Sequence, residues 1–433
     1  MSGRHLTRRS TNVRGVRAPR APVQVLERAA GGSPVDAGDV VDVVRAWLDG
    51  GADDAQMAAL SVTGWAPATT PALVDVLLAA GDRLELARLE ATGGFVSTGA
   101  VGDPTELAVA PVAAALGVRV AVLASAAAGA VIGGQDKLGC IPGMRVGRSA
   151  EELARGARDA GIVVGAPVGR LASGVRRMAR LAEGVGVSRL PRILAPLTAA
   201  RALAPGTAAV LVDVPTGSAG ALCGDAAQVA DAVGDALVAA GRGARVTTSV
   251  ADSAIGPAIG TALEVAAVGA LLLGEGDTSL RDRVADLAGR LAEAAGVRAQ
   301  GTGRAAALDA LAHGAALAAA ERWVESQGGH PEVWTDDALL ARAPTQRAHT
   351  ASRDGIVGPL DIVALAELAR WLGAGRMHPA QAIDFAAGVE VLVRAGESVS
   401  RDQPLIVLHG RDPAMVDAAL AGVGAAVPIT EDD

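Results

Sequence analysis

The sequence predicts an α/β protein with a small, discontinuous all-α lobe, a large α/β lobe holding a mixed sheet, and a small C-terminal β-rich cap. Three observations predict it. Helical hydrophobic spacing fills residues 24–89. From residue 95, glycine loops alternate with β-branched runs and Ala-rich helices, the pattern of a parallel or mixed sheet covered by helices. Helical spacing then returns over 166–205 before another strand–helix–strand run, so the chain is expected to revisit its first lobe.

Residues 1–23 read as a disordered basic tail, because "MSGRHLTRRSTNVRGVRAPRAP" is Arg-rich but lacks the apolar segment of a secretory signal. The first part of the α lobe spans 24–89. In it, "DAGDVVDVVRAWLDGG" is expected to put Val40, Val41, Val44 and Trp47 on one face and to stop at a glycine pair. The first part of the α/β lobe, 90–165, carries the β-branched runs "VRVAVLAS" and "GIVVGAP". Residues 166–205 supply the second part of the α lobe. Its second α/β part, 206–350, opens with "AAVLVDVPTG", a buried strand ending in a loop, then a helix and the strand "ARVTTSVAD". That is a βαβ unit, whose loops at the carboxyl ends of strands are where ligands bind. Residues 351–433 form the C-terminal α+β subdomain.

Composition narrows the function. A chain of 433 residues exceeds the roughly 250–300 at which single cores stop growing, so two or three lobes are expected. Half of the residues are apolar, yet there are only two Phe and no Tyr, so small side chains must build the core. A net charge of −8 argues against broad nucleic-acid binding, which rests on neutralising phosphates, and favours a small-molecule partner. Gly, Pro and Arg interrupt the long apolar run 107–132, so no membrane span is expected. Cys140 and Cys223 make no CxxC pair and read as buried thiols in a reducing cytoplasm. Six scattered histidines without an i,i+4 pair give no metal site, and no organic cofactor is implied. Lys137 is the only lysine in an Arg-biased chain.

The segment "GGFVSTGAVGDPTE" (93–106) has glycines at its turns and small hydroxyls between them, as where backbone amides approach an anion, but contains no cation. With "SAAAGAVIGGQDKLGCIPG" (125–143), "DVPTGSAG" (213–220) and "GTALEV" (260–265), it resembles, in order and spacing, the signature segments of the pyrimidine nucleoside phosphorylases. "QGGHPEV", "LGAGRMHPAQAIDFAAGVEVLVRAGESV" and "PLIVLH" continue the likeness, which covers roughly residues 24–433.

The resemblance implies an active-site cleft between two lobes, usually in a homodimer. It implies phosphorolysis of a nucleoside-like small molecule, with inorganic phosphate as co-substrate. Phosphate attacks the anomeric carbon through an oxocarbenium-like state, and base and pentose 1-phosphate are released. On the phosphate side the likeness assigns Ser97, Thr98, Gly99, Ser125, Gly134 and Gln135. A one-residue deletion after Gly134 aligns Ser125 and Gln135 with the family serine and threonine; without it, Ala124 and Gly134 take those places. The family lysine corresponds to Phe95 and its histidine to Val96, while Glu106 stands where another phosphate-binding serine is expected. Free phosphate should therefore bind poorly, since a lysine–phosphate pair is lost and a carboxylate added. On the base side Pro196 and Ala200 replace the contacting serine and lysine; Arg201 keeps an adjacent charge, and the upstream arginine falls near Arg180 or Leu181. Gly102 and Glu264 match ligands of a monovalent cation.

Plainer roles compete at each position. Ser97 or Thr98 suits the cap of a following helix, Asp103 a cap or a loop-holding contact, Lys137 a salt bridge or surface contact, and the cluster "GVRRMARL" (174–181) a solvated helix face. Trp323, Trp334 and Trp371 suit packing anchors, or a base-stacking surface. Three functions remain: a divergent phosphorylase, a non-catalytic nucleoside binder or partner of an enzyme, and phosphate-independent pentosyl transfer or hydrolysis.

Overall fold

The computed structural model describes residues 20–126, 131–220, 225–378 and 381–430. Cys223 and most of the basic tail lie outside them. Four helices come first: α1 (Pro22–Ala30), α2 (Ala37–Leu48), α3 (Asp54–Thr63) and α4 (Thr70–Ala79). Asp36 caps α2 by accepting the Asp39 amide at 2.8 Å. The buried stripe of α2 is Val40, Val43, Val44 and Trp47, with Val41 half-buried. Val43 replaces the expected Val41 because i, i+3, i+4, i+7 spacing keeps one stripe on a 3.6-residue helix.

The central sheet contains β1 (Thr92–Ser97), β2 (Arg119–Leu123), β3 (Gly147–Arg148), β4 (Ile162–Pro167), β5 (Ala209–Thr216) and β6 (Gly243–Val250). Their order is β3-β4-β2-β1-β5-β6, and every pairing is parallel. The expected mixture of parallel and antiparallel pairing is thus split between separate sheets. Right-handed crossovers put helices that connect strands in opposite directions on opposite faces. Accordingly α5 (Thr105–Ala115), joining β1 to β2, packs on one face, with Phe95, Val120, Val122 and Leu211 pointing to it. On the other face lie α7 (Ala150–Asp159), joining β3 to β4, and α10 (Ala226–Ala239), joining β5 to β6, over Val96, Ala121, Val163 and Val212.

Between these come the short α6 (Gly134–Gly139), then α8 (Ser173–Val185) and α9 (Pro191–Leu203), which follow β4 and pack back on α4. Arg177 of α8 lies 4.2 Å over the Trp47 ring and donates to the Trp47 carbonyl at 2.7 Å, joining the two helical segments. Helices α11 (Thr261–Leu272), α12 (Thr278–Ala294), α13 (Gly303–Ala312) and α14 (Ala315–Ser326) cover α5.

The C-terminal region is β-rich and antiparallel. One sheet runs β7-β10-β12-β8, from β7 (Ala258–Ile259), β8 (Thr345–Thr350), β10 (Gly388–Val391) and β12 (Pro404–Gly410). A second runs β11-β9-β13, from β9 (Gly355–Val357), β11 (Ser398–Val399) and β13 (Ile429–Thr430). Helices α15 (Ile362–Ala369) and α16 (Pro413–Gly422) pack around them. Strand order reverses direction at β1, which opens a crevice beyond the carboxyl ends of the neighbouring strands.

Candidate active site

That crevice is a cavity of about 500 Å³ between the ends of β1, β2 and β4 and the faces of α8 and α9. The loop leaving β1 forms part of its wall. Ser97 Oγ donates to Asp103 Oδ2 at 3.0 Å and accepts the Gly99 amide at 2.9 Å. Asp103 Oδ1 accepts the Thr105 amide at 3.0 Å, which fixes the start of α5. The Ser97 hydroxyl and the Asp103 carboxylate therefore hold the loop, while Pro104 takes the N-cap position of α5 without a side-chain cap bond. Gly99 has φ +91°, and a Cβ there would sit 2.9 Å from Val131 Cγ1, so no side chain fits. Thr98 donates its amide to the Asp213 carbonyl at 3.0 Å, while its Oγ1 is buried without a partner among the described residues. Asp213 is tied to Arg283 at 2.6 Å and Ser249 at 2.7 Å; burial pushes its carboxyl up to about 6 against both contacts.

The cation absent from 93–106 arrives from α9. Arg201 Nη2 donates to the Ser97 carbonyl at 2.5 Å and lies 3.0 Å from Glu106 Oε1. Arg201, assigned by sequence to the base, is thus engaged on the side assigned to phosphate. Burial pushes the Glu106 carboxyl above its ordinary range, opposed by Arg201 and Lys137. Its Oε2 faces Gly134, where a Cβ would lie 2.6 Å away. In the glycine-rich segment Gln135 donates its amide to the Ser125 carbonyl at 2.9 Å, so Ser125, Gly134 and Gln135 come to one wall of the cavity with Ser97, Thr98 and Gly99.

Gly102 and Glu264, which the likeness assigns to a monovalent cation, both make contacts within the protein. The Gly102 carbonyl accepts the Gly256 amide at 2.8 Å, and Glu264 Oε1 accepts the Gly260 amide at 3.2 Å. Glu264 Oε2 lies 2.8 Å from Lys137 Nζ, both side chains being almost completely buried, and Lys137 also donates to the Asp103 carbonyl. Burial pulls the Lys137 pKa down, but Glu264 and Asp103 outweigh it and the net shift is upward. A fixed ammonium already supplies the positive charge at Glu264. The bare salt bridge weighed for Lys137 is real, but buried.

On the base side Arg180 lines the cavity and is exposed, whereas Leu181 packs half-buried into the helical core. Pro196 and Ala200 are buried in α9. No aromatic side chain lines the cavity among the described residues: Trp323 and Trp334 stack on each other at 6.1 Å in the core, so the packing role holds for them. The α8 arginines divide, with Arg177 on Trp47, Arg176 donating to the Gly169 carbonyl, and Arg180 facing the cavity. Sequence reasoning missed the Glu106–Arg201 pair. Its signal was an acid gained and a cation kept in two segments expected to face one cleft.

A helical lobe and a parallel α/β lobe closing on a cavity have a match in class: residues 94–317 fit the glycosyl transferase family a/b domain. Residues 356–430 fit the pyrimidine nucleoside phosphorylase C-terminal domain. The chain belongs to the pyrimidine nucleoside phosphorylase family, as a divergent, phosphorylase-like member. It is 30% identical over 407 residues to the thymidine phosphorylase of Burkholderia lata, covering 91% of this chain and 92% of that one. The human thymidine phosphorylase is 31% identical over 421 residues, 92% of this chain and 86% of its own. The pyrimidine-nucleoside phosphorylase of Geobacillus stearothermophilus is 28% identical over 397 residues, 89% and 91% of the two chains. A solved structure, the anthranilate phosphoribosyltransferase of Thermus thermophilus, matches with a TM-score of 0.54 at 24% identity over 70% of this chain and 99% of its own, a likeness of fold.

Proposed function

We propose that the protein cleaves the N-glycosidic bond of a nucleoside in this cavity, as a phosphorylase-like pentosyltransferase. The observation that carries the reading is the cavity itself. Its volume of about 500 Å³ falls within the size range of small-molecule sites. One wall presents Ser97, Thr98, Gly99, Ser125, Gly134 and Gln135 to an acceptor, and the other presents Arg176, Arg180, Arg189, Glu183 and aliphatic side chains to a base. Phosphate is the acceptor the relatives' names imply. Bound here, it would be held by the Thr98 hydroxyl, the Ser125 and Gln135 side chains and Arg201, after displacing the Glu106 carboxylate or meeting it protonated. The family resemblance also supports a cytoplasmic homodimer; no helix among the described residues is long and apolar enough to cross a membrane.

The test is incubation with uridine, thymidine and 5′-modified uridines, with and without phosphate, following release of the base. Cleavage of any of them supports the reading. Clean binding of a nucleoside without turnover would instead make the protein a non-catalytic binder, and neither binding nor turnover would refute the reading.

A further inference from the structure

The anion side of the cavity already contains an anion. Glu106 keeps 11% of its side chain exposed and Arg201 13%, and the two meet at 3.0 Å. The second oxygen of Glu106 fills the space that Gly134 leaves free of a Cβ. Lys137, the other cation beside it, is spent on Glu264 and the Asp103 carbonyl. A phosphate dianion entering here meets a fixed carboxylate whose partner charge is taken, and in a low-dielectric cleft that repulsion is strong. A neutral acceptor meets no such barrier, and finds a carboxylate positioned to accept a proton.

We infer that the acceptor in this protein is water and that Glu106 is the base that deprotonates it, an inference that rests on the nucleoside-cleaving reading above. As the water oxygen bonds to the anomeric carbon, Glu106 takes a proton from it. The carbon–nitrogen bond breaks and its electron pair leaves with the base, which takes up a proton in turn, and Glu106 returns its own to solvent. The net reaction is nucleoside plus water to free pentose plus base, with no further reactant. Arg201 is a positioning residue: it holds Oε1, and Gly134 leaves room for Oε2.

The experiment compares wild type, Glu106→Gln and Glu106→Ser on uridine, thymidine and 5′-modified uridines, in phosphate-free buffer and with added inorganic phosphate, with the sugar product identified by NMR. Wild type is expected to release base without phosphate and to yield free pentose. Glu106→Gln is expected to slow this by about 100-fold or more, the usual worth of a general base, with its melting curve confirming a folded protein. Glu106→Ser is expected to lose hydrolysis and gain phosphate-dependent formation of pentose 1-phosphate, which decides the matter even where the glutamine variant folds poorly. Wild-type cleavage that requires phosphate, or phosphate-free cleavage that survives both substitutions, overturns this inference and leaves the nucleoside-cleaving reading standing. Absence of cleavage and binding for every nucleoside overturns both.

Discussion

At the scale of the residue, two buried ion pairs decide what the cleft can hold, and each joins two residues that the sequence singles out for separate roles. Glu106 is legible as an acid placed where the family has a phosphate-binding serine. Its pairing is not, because Arg201 sits on a distant helix, assigned to the base, and sequence order cannot show that α9 turns it toward Ser97. Lys137 stands out as the only lysine, but its burial against Glu264 depends on α6 meeting α11. Removing one member of such a pair strands the other charge. Lys137→Met is therefore expected to lower the unfolding free energy by about 3–5 kcal/mol, measured by denaturant titration. Because the ammonium already serves Glu264, wild-type melting should be the same in potassium and in choline chloride. A marked stabilisation by potassium would restore a free cation to this site.

At the scale of the element, the strands and helices follow from local pattern, whereas edges and caps depend on distant segments. The run "GIVVGAP" predicts β4, but not that its outer edge is left bare, since β3 pairs only with Ala166 and Pro167. Gln327 covers the gap: its side-chain amide donates to the Val164 carbonyl at 2.9 Å, and its oxygen accepts the Val164 amide at 3.1 Å and Trp323 Nε1 at 2.8 Å. The glutamine of "QGGHPEV" is thus a substitute strand. Gln327→Leu keeps the volume but leaves three buried groups unpaired. With each costing about 1–3 kcal/mol, a loss of roughly 3 kcal/mol or more is expected in chemical denaturation. A loss within experimental error would mean that water or a neighbour replaces the side chain.

At the scale of the whole molecule, the lobes read clearly because hydrophobic periodicity changes from helical to strand spacing and back, and parallel strands force right-handed crossovers. The α-lobe helices return to one sheet face and α11–α14 cover the other, so the crevice at β1 is a consequence of topology and survives the loss of its original ligands. The contents of that crevice were less legible, since they depend on charges brought together from the loop after β1 and from α5, α6, α9 and α11. The central claim is that an internal carboxylate occupies the place of phosphate. Calorimetric titration of inorganic phosphate into wild type and Glu106→Ser, both checked for folding, tests it most directly. The account predicts no saturable binding to wild type and an affinity gain of about tenfold or more in the variant, at least ~1.4 kcal/mol. Equal affinities, or tighter binding to wild type, would contradict it.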